Sequence, residues 1–509
     1  MSHYLSIDYG TQSVRAMVFD RNGELLAKAR IVENPAVSEE PGWAEQDPEI
    51  FWHNLAQACQ KLFAAQPKFR STIKSVTLTT QRGTLINVDR YGNPLRPAMI
   101  WMDQREADVK SKPNLLWRQL FHLVGVQETI KNFQKQAEAN WIREFQPEIW
   151  SRTHKFLLLS GYLSFKLVGS MVDSVGSQVG YIPFDYKKHR WANNLSWKWK
   201  AVAIPRDKLP ALISQGSPLG EISKEAAAAT GIPEGIPLIA AAADKACEVI
   251  GSGCLDYNVG CLSYGTAASI NVTSNRYVEC IPFVPPYPSA IPGFYNVENQ
   301  VEKGYWLVSW FKKEFAHREE KEAKAKGLMT EDLLEDQIRQ IAPGSDGLLV
   351  QPYWSPGIRY PGPEARGAMI GFHGGHTKAH VYRAILEGIA FALREGRNKI
   401  EKRMGTRLRR LRCSGGGSQS DTVMQITADI FNLPVERPHT YETSGLGAAI
   451  CGAVGVGDFD SYRSAINAMT HSNETFLPQS SHVKTYEHLY GKVYEKLYPS
   501  LKPLYHELM

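Results

Sequence analysis

The sequence predicts an α/β chain of two similar domains flanking one cleft, and three observations predict it. The apolar strand Tyr4-Leu-Ser-Ile7 runs into Asp8-Tyr-Gly-Thr-Gln-Ser-Val-Arg15 and leaves through the apolar Ala16-Met-Val-Phe19, so a polar Gly-Thr turn sits between two strands. The same theme returns about 250 residues later, where Val259-Gly-Cys-Leu-Ser-Tyr-Gly-Thr266 leads into Ala267-Ala-Ser-Ile270. A chain of 509 residues is also too long for one core and long enough for two large domains. The expected division is 1–253 and 254–509, each part presenting its turn to the shared cleft.

The first turn offers hydroxyls, backbone N–H groups and one arginine to an anionic ligand. It lacks the GxxxxGK[ST] spacing and following helix of a Walker A loop. Asp20-Arg-Asn-Gly23 then reads as a hairpin turn. Asp47-Pro-Glu49 starts a helix: Asp caps, Pro fits the first turn and Glu faces the positive end. Ile50, Phe51, Trp52, Leu55, Ala58, Leu62 and Phe63 follow at helical spacing. Lys74–Thr79 and Thr84–Val88 read as strands, with Gln81-Arg-Gly83 between them and the turn Asp89-Arg-Tyr-Gly92 after them. Segment 130–170 reads as helical, with Trp141, Ile142, Phe145, Phe156 and Leu157-Leu-Leu159 as core residues. Leu238-Ile-Ala-Ala-Ala-Ala-Asp244 reads as a strand whose acid falls near its C-terminal end, before the Gly251-Ser-Gly253 break, and the halves are expected to rotate about strand-to-helix crossings near residues 245–260, where Gly251 and Gly253 lie.

In the second half, His317–Lys326 is a charged run without an apolar stripe, which reads as a solvated helix or a peripheral insertion needing no partner. Leu348–Val350 is a strand. Thr377–Arg394 is a helix with Val381, Ile385, Leu386, Ile389 and Leu393 on its apolar side. The strand Leu408–Leu411 leads into Cys413-Ser-Gly-Gly-Gly417 and then a helix over Thr422–Ile430. Ser444-Gly-Leu-Gly-Ala-Ala449 opens a small-residue helix suited to close packing.

Composition excludes several classes. A net charge of +6 is small for this length, and Arg407–Arg412 and Lys198-Trp-Lys200 are interrupted by apolar residues, so no nucleic-acid partner is expected. Apolar runs such as Ile236–Ala243 are too short to span a membrane, and the N-terminus enters a strand rather than an h-region. Cys247, Cys254 and Cys261 are evenly spaced, yet no His or CxxC accompanies them, so they read as small buried side chains and not zinc ligands. A cytoplasmic protein is expected.

In this order along the chain, Asp8-Tyr-Gly-Thr11, Gly42-Trp-Ala-Glu-Gln-Asp-Pro48, Trp101-Met-Asp-Gln-Arg105, Ala243-Asp244, Ser263-Tyr-Gly-Thr266, Ala365-Arg-Gly367, Glu387-Gly-Ile-Ala-Phe391, Ser414-Gly-Gly-Gly417 and Ser444-Gly-Leu-Gly-Ala448 resemble the motifs of the FGGY family of carbohydrate kinases over essentially the whole length. The resemblance implies two ribonuclease-H-like domains of the actin and hexokinase kind around an ATP and sugar cleft. It further implies transfer of the ATP γ-phosphoryl group to a hydroxyl of a small sugar or polyol, pentulose- or hexulose-like, with Mg²⁺.

Such a cleft must hold the nucleotide, shield charge and orient a hydroxyl in line. Gly10, Thr11, Gln12, Ser13 and Arg15 are the expected phosphate contacts of one turn, Gly265 and Thr266 of the other. Arg15 has a second reading, a salt bridge on the strand edge. The resemblance places Asp8 near the metal and phosphates, and Asp8 with Asp244 are the expected Mg²⁺ carboxylates. Asp244 is also the expected base that takes the hydroxyl proton. The family's Asp-Gln is Asp244-Lys245 here; Lys245 either lowers the pKa of the base, touches a phosphate or acidic substrate, or points to solvent. Gly415, Gly416 and Gly417 let backbone approach the nucleoside, with Gln419 and Ser420 as ribose or adenine contacts. Gly304 and Ser309 match a further adenine-site segment poorly, and Trp310 reads as core.

At the sugar end, Gln81 and Arg82 resemble the Gln-Arg of glycerol kinases, but the following glutamate is Gly83 here and the site's Tyr is Phe133. Both changes remove polar contacts and argue against glycerol. The Met-His of xylulokinases is absent too. Asp103 has two readings, substrate contact or a domain-internal role. A pocket for five or six carbons, extending to a deoxy sugar, is expected. The alternatives are a kinase of a specialised deoxy sugar or signalling carbonyl compound and, more remotely, a non-transferring ATPase of structural or regulatory role. A homodimer is compatible with the sequence.

Overall fold

The computed structural model describes residues 2–33, 36–108, 127–202, 204–357 and 360–509. Its two main sheets repeat one topology. In the first, β1 (His3–Tyr9), β2 (Ser13–Phe19) and β3 (Leu25–Val32) form an antiparallel meander. On the other side of β1 lie β4 (Ile73–Thr80) and β6 (Pro237–Ala240), both parallel to it, and then the antiparallel β5 (Pro218–Glu221). In the second sheet β7 (Val259–Tyr264), β8 (Ala268–Ser274) and β10 (Tyr295–Val301) make the meander, with β9 (Tyr287–Pro288) at its edge. The parallel β11 (Arg410–Ser414) and β12 (Val435–Pro438) follow on the far side of β7, then the antiparallel β13 (Ser472–Phe476). The two Gly-Thr turns are therefore equivalent: each joins the first two strands of its meander. The fold is the two-domain α/β arrangement shared by actin and hexokinase.

Each sheet is covered by helices that bury an apolar side on it. Helix α1 (Pro48–Ala65) starts as expected, with the Asp47 carboxylate accepting the Glu49 N–H at 2.9 Å. It packs Phe51, Leu55, Ala58, Leu62 and Phe63 against Leu5, Ile7, Val76 and Leu78. The long helix α3 (Lys378–Met404), capped by Thr377, buries Ile385, Leu386, Ile389 and Leu393 in the second core. Helix His317–Lys326 forms where the charged run predicted it.

Between the sheets, α2 (Asp244–Gly251) crosses α5 (Thr443–Gly455) at backbone contact. A Cβ on Gly251 would lie 1.9 Å from the Thr443 carbonyl oxygen, and one on Gly447 1.9 Å from that of Cys247. Only glycine permits this approach, so Gly251 is a packing residue. Gly253 has φ +75°, and a Cβ there would strike the Arg412 guanidinium. Both glycines are close-packing positions.

Three expectations need correction. Segment 130–170 is not one helical region: Lys155–Leu158 is a strand of a small four-stranded sheet, and helices lie on both sides of it. Phe145, expected in the core, is 46% exposed. The apolar strand before Asp244 ends at Ala240, and Asp244 is instead the first residue of α2. All seven cysteines are buried and unpaired. Among the described residues, no helix is long and apolar enough to cross a membrane.

Candidate active site

The first turn is closed by the Gly10 N–H, which donates to the Ser13 carbonyl at 3.1 Å. The Thr11 hydroxyl donates to Gln81 Oε1 at 2.8 Å and accepts from Trp101 Nε1 at 2.9 Å. The chain thus joins a residue assigned to the phosphates with one assigned to the sugar. Gln12 is exposed beside them and Ser13 is buried.

Asp8 and Arg15 face each other across β1 and β2 because the hairpin register pairs them. Arg15 Nη2 lies 2.7 Å from Asp8 Oδ2, and its Nη1 lies 2.7 Å from Glu442 Oε2. Of the two readings of Arg15, the strand-edge ion pair is the arrangement seen. Burial pushes the Asp8 carboxyl up to about 6 despite Arg15, with the charge of Asp244 adding to the effect.

Asp244 stands at the N-terminus of α2, where its Oδ1 accepts the Lys245 N–H at 2.7 Å. Burial raises its pKa, while Lys245 and Arg82 oppose the rise. Lys245 does not point to solvent. Its Nζ donates to Glu248 Oε2 at 2.8 Å and to Ser263 Oγ, and a Cβ on Gly265 would lie 3.9 Å from it. Glu248 in turn accepts from the Ser414 hydroxyl at 2.5 Å. Burial alone would raise Glu248, but Lys245 and these hydroxyls carry it below the usual value. Sequence reasoning gave Glu248 no role. Its signal was the helical spacing, which puts residue 248 on the face of 244 and 245.

The second turn is braced from behind: Tyr305 and Trp306 donate their N–H groups to the Gly265 and Thr266 carbonyls at 3.0 and 3.1 Å. Thr266 is exposed. The triple glycine is used unevenly. Gly415 has φ +83°, and its Cβ would come within 2.7 Å of the Tyr264 carbonyl oxygen; on Gly417 a Cβ would strike the Tyr305 ring at 2.1 Å; on Gly416 it would meet nothing within 4 Å. Open space therefore lies over Gly416. Gln419 is exposed, and Ser420 caps α4 (Asp421–Phe431) by accepting the Val423 N–H at 3.1 Å.

At the sugar end, Arg82 reaches from the first half into the second. Its Nη1 and Nη2 donate to the Glu298 carboxylate at 3.2 and 3.0 Å, and Nη2 to Gln300 Oε1 at 3.3 Å. Asp103 takes the domain-internal arrangement: it accepts from the Ala44 N–H at 2.7 Å and from the Arg105 guanidinium, which packs against both Trp43 and Trp141. Phe133 packs edge-on against Tyr181 at 5.1 Å and Trp197 at 5.8 Å.

The family models then settle what kind of protein carries this arrangement. Residues 3–251 match the N-terminal domain, and residues 260–456 the C-terminal domain, of the FGGY family of carbohydrate kinases. The chain belongs to this family. A xylulose kinase of Lactococcus lactis subsp. lactis (strain IL1403) is 29% identical across all of this chain and 99% of its own length. Among solved structures, a xylulose kinase from Lactobacillus acidophilus superposes with a TM-score of 0.83 at 21% identity, covering 100% of both chains. A gluconate kinase from the same organism gives 0.82 at 22% identity with the same coverage. As an FGGY carbohydrate kinase, the protein has phosphoryl transfer from ATP to a sugar or polyol hydroxyl as its reaction class.

Proposed function

We propose that this protein phosphorylates a hydroxyl of a five- or six-carbon ketose or polyol, with Asp244 as the general base. The observation that carries the reading is the position of Asp244. It is a carboxylate with a raised pKa at the start of α2, close enough to feel the charges of Lys245 and Arg82, and Lys245 lies beside the Gly265 turn. A hydroxyl bound at the Gln81 and Arg82 end, where Arg82 orients the Glu298 and Gln300 oxygens as acceptors, is deprotonated by Asp244 as its oxygen attacks the γ-phosphorus and the bond to ADP breaks.

Gly10, Thr11, Gln12 and Ser13 face Gly265 and Thr266 as the two phosphate-holding turns, and Lys245 adds a cation beside Gly265. Gly415, Gly416 and Gly417 form a nucleoside cradle, and the space over Gly416 fits it, since a side chain there would occupy what the nucleotide needs. Gln419 and Ser420 border that space, and Phe133 walls the sugar side. Asp8 and Asp244 are a hard-oxygen pair suited to Mg²⁺. A cation held there would offset the negative charge on the transferring phosphoryl group. The domain boundary is placed near residue 253, between α2 and β7.

The relative named xylulose kinase supports a ketopentose. Gly83 and Phe133 support a pocket roomier and less polar than one for glycerol. Release of ADP, measured over pentuloses, hexuloses, polyols and deoxy sugars, tests the proposal. Turnover of at least one C5 or C6 compound above the ATPase background is expected. Failure with all of them in ATP-loaded protein, or clear preference for glycerol, would refute it.

A further inference from the structure

We propose that Glu298 sets the charge selectivity of the sugar pocket: by occupying the Arg82 fork, it makes the pocket take uncharged ketoses and polyols and turn away sugar acids. This rests on the reading of Arg82 as part of the sugar end.

An arginine at a pocket wall is normally a carboxylate receptor, because its planar guanidinium presents paired N–H donors at carboxylate spacing. In this protein that fork is already filled. Both Nη atoms donate to the two oxygens of Glu298, Nη2 also donates to Gln300, and the guanidinium lies over the Tyr287 ring at 5.2 Å. The pair is held away from water, with side-chain exposures of 18% for Arg82 and 8% for Glu298.

Strand geometry puts further acceptors beside it. Glu298 and Gln300 share one face of β10 by period-two alternation, and Gln300 Nε2 donates onward to Glu302 Oε2 at 3.0 Å. Tyr287, Glu298, Gln300 and Glu302 also line a cavity of about 110 Å³ formed by the second half of the chain, and Arg82 reaches its wall through Glu298 and Gln300. A sugar carboxylate brought to Arg82 would meet two carboxylates and no free fork. A hydroxyl would find the opposite, since carboxylate and amide oxygens accept its proton and a tyrosine face covers C–H groups. The acid side chains come from the second half of the chain and the arginine from the first, so the selectivity exists only where both halves meet.

The test compares D-xylulose and D-fructose with gluconate and xylonate in wild-type protein and in Glu298→Gln. By kcat/KM from ADP release, wild type is expected to favour the neutral compounds at least tenfold. Glu298→Gln, which removes the carboxylate that fills the Arg82 fork, is expected to narrow that ratio at least tenfold by gaining on the acids. An unchanged ratio in the variant overturns the proposal. Calorimetric titration of the same four compounds reads the preference without turnover. An absence of turnover with every compound would therefore count against the kinase reading, and tighter gluconate binding in Glu298→Gln would still decide this one. Wild-type affinity for gluconate equal to or above that for the neutral compounds overturns it with no variant needed.

Discussion

In the proposed reaction Asp244 is the proton acceptor, and its two acidic neighbours are engaged elsewhere. Glu248, four residues on, is held below its usual pKa by Lys245 and two serine hydroxyls after burial is overcome, so it is a poor proton acceptor. Asp8 is paired with Arg15. Replacing Asp244 by Asn keeps volume but removes the proton acceptor, and turnover should fall roughly 10²–10⁴-fold. Nucleotide affinity, measured by titration with a fluorescent ATP analogue, should change little. Near-normal turnover at saturating sugar would remove Asp244 from the base role. A second buried acid gives a pH signature in stability. Asp173 is 1% exposed and accepts from Ser160, Gln178 and the Ser174 N–H, yet burial pushes it up to about 7. Its folded pKa lies above the unfolded value of about 3.9. The folded state thus binds the proton more tightly, and the contribution of Asp173 is complete below about pH 4 and lost as pH rises through 7. Urea unfolding at pH 5 and pH 8 should show this loss, on the order of a few kcal/mol at most. In Asp173→Asn the difference between the two pH values should shrink; an unchanged difference would show that Asp173 does not titrate in this range.

At the level of elements, the α2–α5 crossing is where sequence and packing agree most closely. Small residues at Ser444–Ala449 predicted a helix able to approach a neighbour, and Gly447 meets the Cys247 carbonyl with no room for a methyl group. Gly447→Ala should therefore lower stability by about 1–3 kcal/mol or more through overpacking. That is the reverse of the gain of about 1 kcal/mol expected from helix propensity alone. Gly416→Ala is the matching control: its Cβ meets nothing, so the melting temperature should hold while ATP affinity falls. A stable Gly447→Ala protein would mean that the helices can separate at little cost. Other elements were less legible for physical reasons. Phe156-Leu-Leu-Leu159 is a short apolar run, and periodicity cannot separate a buried strand from a buried helix turn at that length. The alanines before Asp244 hid the helix start, because Ala243 caps without a side-chain signal. Asp103 and Arg15 each have one partner nearby in the sequence, Arg105 and Asp8, but the others, Ala44 and Glu442, lie 59 and 427 residues away, where no local pattern reveals them.

Across the whole molecule, the duplicated meanders were visible as two Gly-Thr turns, but the ties between the halves were not. Lys245 reaches Ser263, Glu248 reaches Ser414, Arg15 reaches Glu442 and Arg82 reaches Glu298. The α2–α5 crossing lies between the sheets and has no slack at Gly251 or Gly447, so it can serve as a pivot but not as a sliding surface. The Arg82 clasp, by contrast, is made of long side chains and can be remade. Water must be kept from the γ-phosphoryl group, because it is itself an acceptor, and closing the cleft is the available means. Small-angle scattering should therefore show the protein compacting when a sugar substrate and a non-hydrolysable ATP analogue are both bound. In Arg82→Ala the ligand-free protein should be more open than wild type, with raised ATPase activity in the absence of sugar. If Arg82→Ala and wild type scatter identically with and without ligands, the clasp does not govern opening, and water exclusion must come from local loops instead of rotation of the halves.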